Sequence, residues 1–314
     1  GDGLASSLPV ILPHLENHCA DSEEGVRTMV AECMGSLICM QPVPMMEKLQ
    51  GIVASHSAIA APGGKVDAGD ATSKKNALAC WTVATSIKLA IAGKVDAGQL
   101  GGFMPHFLEL LKVEELSVRN AALLMVYSAV HHMPQLLVGS MKDSIVPVLH
   151  EVAGLKMERK VDLGPFTHTV DDALPLRKAS LSIFATCLEN LPASLDIAAF
   201  MPVLAKALSD VEDIQLQAHQ IIINMCHRHP SYLAPAIDTF VDPLEKTMHK
   251  KKGQKTGTEL DRLLDWMKSA VRAALALNKI EQGGMNSQKF SDFMQRVRGN
   301  PVLQRMVAAI EEER

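Results

Sequence analysis

Two groups of histidine and cysteine invite a metal reading. His14 and His18 are four apart with Cys19 adjacent, and Cys226, His227 and His229 lie close together. Imidazole and thiolate are the usual zinc ligands, but a structural zinc site joins two such ligand pairs at set spacing. Neither group has its second pair, so both are expected to be ordinary helix-face and helix-end residues, with no metal and no cofactor. Asp171-Asp172 raises the chemistry of paired carboxylates. No nucleophile or base nearby completes a constellation. Adjacent acids just ahead of a helix read instead as an N-terminal cap, well placed against the helix dipole. HExxH, GxSxG and Gly-rich phosphate motifs do not occur. Lys250-Lys251-Lys252 with Lys255 forms a small basic patch. It reads as a solvated loop, with an acidic protein surface as the alternative contact, because the aromatic interleaving that single-stranded nucleic acid needs is missing.

The elements around these residues read as helices. Hydrophobic residues make up 47% of the 314, yet aromatics only 4%. Ala, Leu, Val and Met must therefore fill the interior, which suits closely packed helices better than sandwiches or barrels. Seventeen Met residues permit adaptable packing or a partner surface. A net charge of −4 gives no overall basic field for nucleic acid. No apolar run approaches the roughly 18–20 residues of a membrane span. The six cysteines are far apart or set in apolar helical patterns, so they are expected to be free, mostly buried thiols in a reducing compartment, cytosol or nucleus.

A repeated unit organises the helices. A short β-branched or apolar residue precedes a basic or polar one, and small residues then open a helix, as in Val26-Arg27 and Val118-Arg119-Asn120-Ala121. Markers at Arg27, Lys75, Arg119, Arg177, Gln215 and Lys268 give spacings of 48, 44, 58, 38 and 53. Helical-pair repeats of the HEAT and armadillo kind run about 40–47 residues. The long intervals hold insertions at 55–73, 158–172 and 249–258, and insertions at one phase of a repeat favour a solenoid over a compact bundle. The expected fold is all-α: a HEAT-repeat α-solenoid of about six helical pairs, single over 1–314. The Ala/Gly-rich segment 55–73 is expected to be a mobile loop. Residues 287–314 are expected to be two capping helices split at Gly299-Asn300-Pro301, with Asn300 as N-cap and Pro301 opening the second helix.

One insertion breaks the helical period. In Glu158–Asp172, Val161 and Leu163 alternate with Lys160 and Asp162. Phe166, His168 and Val170 then alternate with Thr167 and Thr169. Between the two halves stands Gly164-Pro165. Gly164 can take positive φ at the first central position of a primed turn, and the fixed φ of Pro165 suits the second. The pattern predicts a β-hairpin projecting from a helical protein. A lone hairpin is marginal in water, so it packs either on its own scaffold as a structural flap or on a partner.

VDLGPFTHTVDD (Val161–Asp172), followed by Arg177-Lys178-Ala179, resembles the C-terminal part of the cullin-associated, neddylation-dissociated family, also called TATA-binding-protein-interacting. EEGVRTMVAECMGSL (Glu23–Leu37), LSVRNAAL (Leu116–Leu123) and VDPLEKTM (Val241–Met248) support it. The likeness runs from about His18 to the end, although segment 55–73 is longer and richer in Ala and Gly than in the family. It implies a non-enzymatic solenoid that wraps a cullin in its ubiquitin ligase. The C-terminal repeats would grip the cullin's N-terminal part, and the hairpin would enter the surface where the substrate-receptor adaptor docks. The chain would be the C-terminal arm, roughly the last quarter, of a longer protein. By itself it would not block modification at the far end of the cullin.

The resemblance thus implies a binding module that works by steric exclusion, part of an assembly and exchange factor for cullin-RING ligases. Phe166, Leu163 and Val161 are the expected anchors, because buried apolar and aromatic groups dominate interface energy. Arg159, Lys160, His168 and Asp171 are the expected polar rim, with Asp162, Gly164, Pro165, Thr167, Thr169 and Val170 completing the contact segment. The expected state is a monomer in cytoplasm and nucleus. The alternatives are a transcription scaffold that binds the TATA-binding protein, which the family's other name suggests, and a transport-receptor-like carrier of basic cargo. The carrier needs an acidic concave face that the dispersed acids do not supply.

Overall fold

A computed structural model describes residues 2–55, 70–162, 164, 166–251, 253–280 and 287–313. The chain divides into two compact units, Gly1–Leu195 and Asp196–Arg314. In the first, α1 (Asp2–His18), α2 (Glu24–Met40), α3 (Pro42–Ser55) and α4 (Ala71–Ala92) precede three single turns within 97–112. Then follow α5 (Leu116–His132), α6 (Val146–Ala153), β1 (Glu158–Asp162), β2 (Thr167–Asp171) and α7 (Leu174–Asn190). Helices α2, α4, α5 and α7 lie side by side in that order. Against them, as a second layer, pack α1, α3, the turn Glu109–Lys112 and α6. The second unit holds α8 (Ile197–Ala207), α9 (Glu212–Arg228), α10 (Ile237–Met248), α11 (Thr258–Asn278), α12 (Gln288–Gly299) and α13 (Pro301–Glu312). There α9 packs on α11, α10 on α11 and α12, and α13 on α11 and α12. Each unit is thus a stack of helix pairs, the repeat architecture that the marker spacing predicts.

Small residues let the inner helices approach closely. A Cβ on Gly35 of α2 would stand 3.0 Å from the Leu89 side chain and 3.1 Å from the Ser86 carbonyl oxygen of α4. Side-chain caps set several helix starts. Asp70 accepts from the Thr72 and Ser73 amides ahead of α4, and Asn300 accepts from Val302 and Leu303 ahead of α13. Each cap satisfies amides that have no partner inside the helix. Helix α4 therefore takes in Ala71–Ser73, the end of the segment expected to be loop, whereas residues 56–69 lie outside the described residues.

The repeat markers mark a buried position. Arg27, Arg119, Arg177 and Gln215 are all buried one turn into their helices. Arg27 donates to the Asp21 and Ser22 carbonyls at 2.7 and 3.0 Å, and its guanidinium lies 5.1 Å from the Trp81 ring centre. Gln215 donates to the Asp210 carbonyl at 2.8 Å and accepts from Thr247 and Trp266. Each ties its helix to the turn before it or to a neighbouring element, which is why a polar residue recurs there. Lys75 and Lys268 do not share that burial: Lys75 is exposed and Lys268 is half-buried against Glu313.

Candidate partner-binding site

The insertion between α6 and α7 is an antiparallel hairpin. Its pairs run from Glu158 with Asp171, through Lys160 with Thr169, to Asp162 with Thr167. That register brackets the turn between Asp162 and Thr167, and Gly164 within it has φ +78°, the left-handed region that glycine enters freely. Leu163 and Pro165, both expected contact residues, lie outside the described residues. Strand alternation sorts the rest into two faces. Arg159, Val161, His168 and Val170 share one, and the register carries Phe166 onto it. Glu158, Lys160, Asp162, Thr167, Thr169 and Asp171 share the other.

The apolar face is open. Phe166 is 69% exposed and Val170 37%, while Val161 is half-buried. A flap folded onto its own helices would bury Phe166 first, so the geometry favours the projecting form. Exposed apolar residues contiguous on one face are the mark of an interface. The described polar side chains of the contact segment are exposed too, with one exception.

That exception is Asp171, whose side chain is 14% exposed. Its Oδ1 accepts from the Met157 amide at 2.9 Å and the Ala173 amide at 3.1 Å, and its Oδ2 accepts from Arg177 at 2.5 Å. Burial pushes this carboxyl's pKa up, but the Met157, Arg177 and Ala173 bonds outweigh it and hold the group below the usual carboxylate range. Asp171, expected on the polar rim, is thus committed to the base of the hairpin. It is not the cap of α7 either: the N-cap position is Ala173, which has no side-chain bond. Asp172 pairs with Arg159 at 2.6 Å, and its amide donates to the Met157 carbonyl. The Asp172 bond and charge raise the Arg159 pKa. Lys160 and His168, the other rim residues, stand on opposite faces, so one flat partner surface cannot meet both.

Arg177 was legible as a repeat marker but not as part of this site. The Leu155 carbonyl and Asp171 that it contacts are 22 and 6 residues away, on either side of the inserted strands. Met29 on α2 and Leu124 and Tyr127 on α5 are exposed apolar side chains too, and only their interruption of the buried period signals them.

The other candidate chemistry stays dispersed. Among the described residues no three His, Cys, Asp or Glu come together as a metal-binding group. Burial raises the pKa of Cys19 and Cys226 to about 12, so both stay thiols rather than the thiolates that metals bind. All six cysteines are free, with Cys19, Cys80 and Cys187 buried but Cys33 and Cys39 exposed, a more open distribution than the apolar patterns suggest. In the basic patch Lys250 sits 3.9 Å from the Trp266 ring centre and Lys255 pairs with Glu259, while Lys252 lies outside the described residues.

A family model described as "TATA-binding protein interacting" matches residues 114–298, which include the whole hairpin and its base. The chain belongs to this family. A HEAT-repeat model matches residues 11–38, the pair α1 and α2. Among curated relatives, "Cullin-associated NEDD8-dissociated protein 1" of Arabidopsis thaliana is 32% identical over 92% of this chain and 22% of its own length. Its namesake in Drosophila melanogaster is 30% identical over 99% of this chain and 24% of its own length. The chain therefore spans about a quarter of the relatives it matches. Among solved structures, yeast importin-β (Kap95p) aligns with a TM-score of 0.61 and 12% identity, over 95% of this chain and 34% of that one. In its complex with RanGDP the TM-score is 0.64 at 14% identity, over 96% of this chain and 34% of that one. Those structures bear on the fold alone, an α-solenoid of HEAT repeats, here with the hairpin added between α6 and α7.

Proposed function

We propose that this family member is a non-enzymatic binding module that grips the N-terminal part of a cullin. Its hairpin occupies the surface on which the substrate-receptor adaptor docks, so module and adaptor exclude each other. As one arm of a longer protein, it serves the assembly and exchange of cullin-RING ligases in cytoplasm and nucleus, and it acts as a monomer. The relatives' names supply the cullin association. The observation that carries the rest is an aromatic side chain, Phe166, held 69% exposed on a hairpin whose base is fixed by buried charge. Burying such a side chain is worth about 1.5–3 kcal/mol, and the open face around it offers Val161, His168 and Val170 to the same groove. The other described carboxylates and histidines assemble no catalytic constellation.

The test is a binding titration of this chain against a cullin N-terminal domain, repeated with adaptor present. Adaptor should abolish binding, and a variant lacking Arg159–Thr169 should fold yet resist that competition. A folded deletion variant still fully displaced by adaptor would sink the hairpin mechanism. A second reading, a scaffold for the TATA-binding protein, draws on the family description alone, and a pull-down against both partners separates the two.

A further inference from the structure

We infer that Arg177 is a positioning residue for the hairpin, fixing its pose on α7 so that the apolar face reaches a partner already ordered. The inference rests on the hairpin's being the recognition element. Three observations carry it. First, Arg177 is 1% exposed, and its NH1 donates to the Leu155 carbonyl at 2.8 Å and to Asp171 at 2.5 Å. Leu155 lies just before β1 and Asp171 ends β2, so one guanidinium on α7 holds the entry and the exit of the insertion together. Second, Asp171 bonds the Met157 amide on the entry side and the Ala173 amide at the helix, which closes the same junction from the carboxylate. Third, the other arginine markers pair with no part-buried acid. Arg27 donates to the carbonyls of its own turn and lies over the Trp81 ring, and Arg119 meets Glu151, a carboxylate 60% exposed on α6. At the repeat that carries the described strands, the recurring buried cation has acquired a part-buried acid from the insertion.

The physical need is plain. Two strands alone are marginal in water, and a loose hairpin would lose conformational freedom on binding, which weakens affinity. The planar fork of Arg reaches two acceptors in fixed directions, which the single ammonium of Lys does not reproduce. Beyond the junction, the Asp172–Arg159 pair is exposed and adds little.

The experiment compares R177M, R177K and D171N with R119M, all in the whole 314-residue chain. Amide hydrogen exchange is read in the free protein, and adaptor competition is read on the cullin domain. In R177M the amides of 158–171 should exchange at least tenfold faster while α4 keeps its protection, and adaptor should displace the variant at a several-fold lower concentration. R177K should restore little. R119M should leave hairpin exchange unchanged. If R177M fails to fold, D171N keeps the Leu155 bond and still loosens the strands. Unchanged hairpin exchange in folded R177M or D171N, or equal loosening in R119M, overturns the positioning role. The exchange measurement needs no partner. A wild-type chain that adaptor does not displace therefore defeats the cullin reading while leaving the exchange result to stand on its own.

Discussion

The insertions before α7 and before α11 occupy the same place in their helix pairs, yet they are built differently. The first, 158–171, is paired strand, locked at its base by an ion pair between buried Arg177 and part-buried Asp171. The second, 249–257, turns through Gly253 and Gly257 at φ +55° and +56°. It is held at the surface by Lys250 against Trp266 and by Lys255 against Glu259. Both are short and lie largely at the surface. What separates them is period-two patterning, which gives strands, and a buried Arg177 with an acid at the exit in reach, whereas the α11 marker Lys268 is half-buried and pairs with Glu313. A repeat can thus carry an insertion as an ordered tool or as a plain connection, and the choice lies in very few residues.

The comparison can be broken most forcefully at Arg177. Removing one partner of a buried ion pair typically costs about 3–5 kcal/mol. Because Asp171 keeps two amide bonds, R177M should lie near the lower end of that range, a clear fall in the thermal midpoint of the first unit. A loss below about 0.5 kcal/mol, the scale of ordinary surface changes, would put the hairpin base on a par with the loop.

Acid should separate the two units next. His219 of α9 is fully buried, its Nδ1 lies 3.0 Å from the Ser269 hydroxyl, and burial lowers its pKa to about 4. The unfolded chain takes up this proton near pH 6.5. Stability of the second unit is therefore intact above pH 6.5, falls as pH drops, and has lost about 3 kcal/mol by pH 4. Asp171 runs at a lower range. Its folded pKa is depressed, so its contribution is present above the unfolded pKa of roughly 3.9 and is lost only below it. Urea unfolding at pH 7 and pH 4.5 should show the second unit weakened, with the protection of 158–171 unchanged. In H219L that pH dependence should largely vanish, and its full persistence would assign the effect elsewhere.

Phe166→Ala sharpens the contrast between holding and recognising. Stability should move by less than about 0.5 kcal/mol, whereas cullin binding should weaken by about 2 kcal/mol, roughly thirtyfold, as for an interface anchor. The smallest effect is expected in the second insertion. Lys250→Ala removes a half-buried cation–π contact worth about 1 kcal/mol, and cullin binding should be unaffected.

Much of this was legible because it is local. Period-two alternation around Gly164-Pro165 announced the strands and their register. Asn300-Pro301 announced the last helix, and the recurring Arg27, Arg119, Arg177 and Gln215 announced the pairs. What escaped depends on residues distant in sequence. Nothing near Gln215 points to Trp266, 51 positions away. Nothing near Arg177 says that its carboxylate comes from a strand rather than from its own helix. Asp171-Asp172 looked like a cap because acids before a helix usually are. Here the hairpin's return brought one of them to the Met157 amide, and the nearest unmet donors claimed it. The side of 55–73 that was described shows a further local effect: an aspartate suffices to start α4 three residues earlier than composition suggests.

The arrangement at the hairpin base has an evolutionary corollary. Between Lys160 and Thr169 the described side chains are largely exposed and belong to no core. Selection for folding has little hold on them. The likeness to the family that Val161–Asp172 carries must then be held by what the tip touches, while Asp171 and Arg177 hold how it is carried. The same separation makes the segment a natural place to graft a foreign recognition sequence.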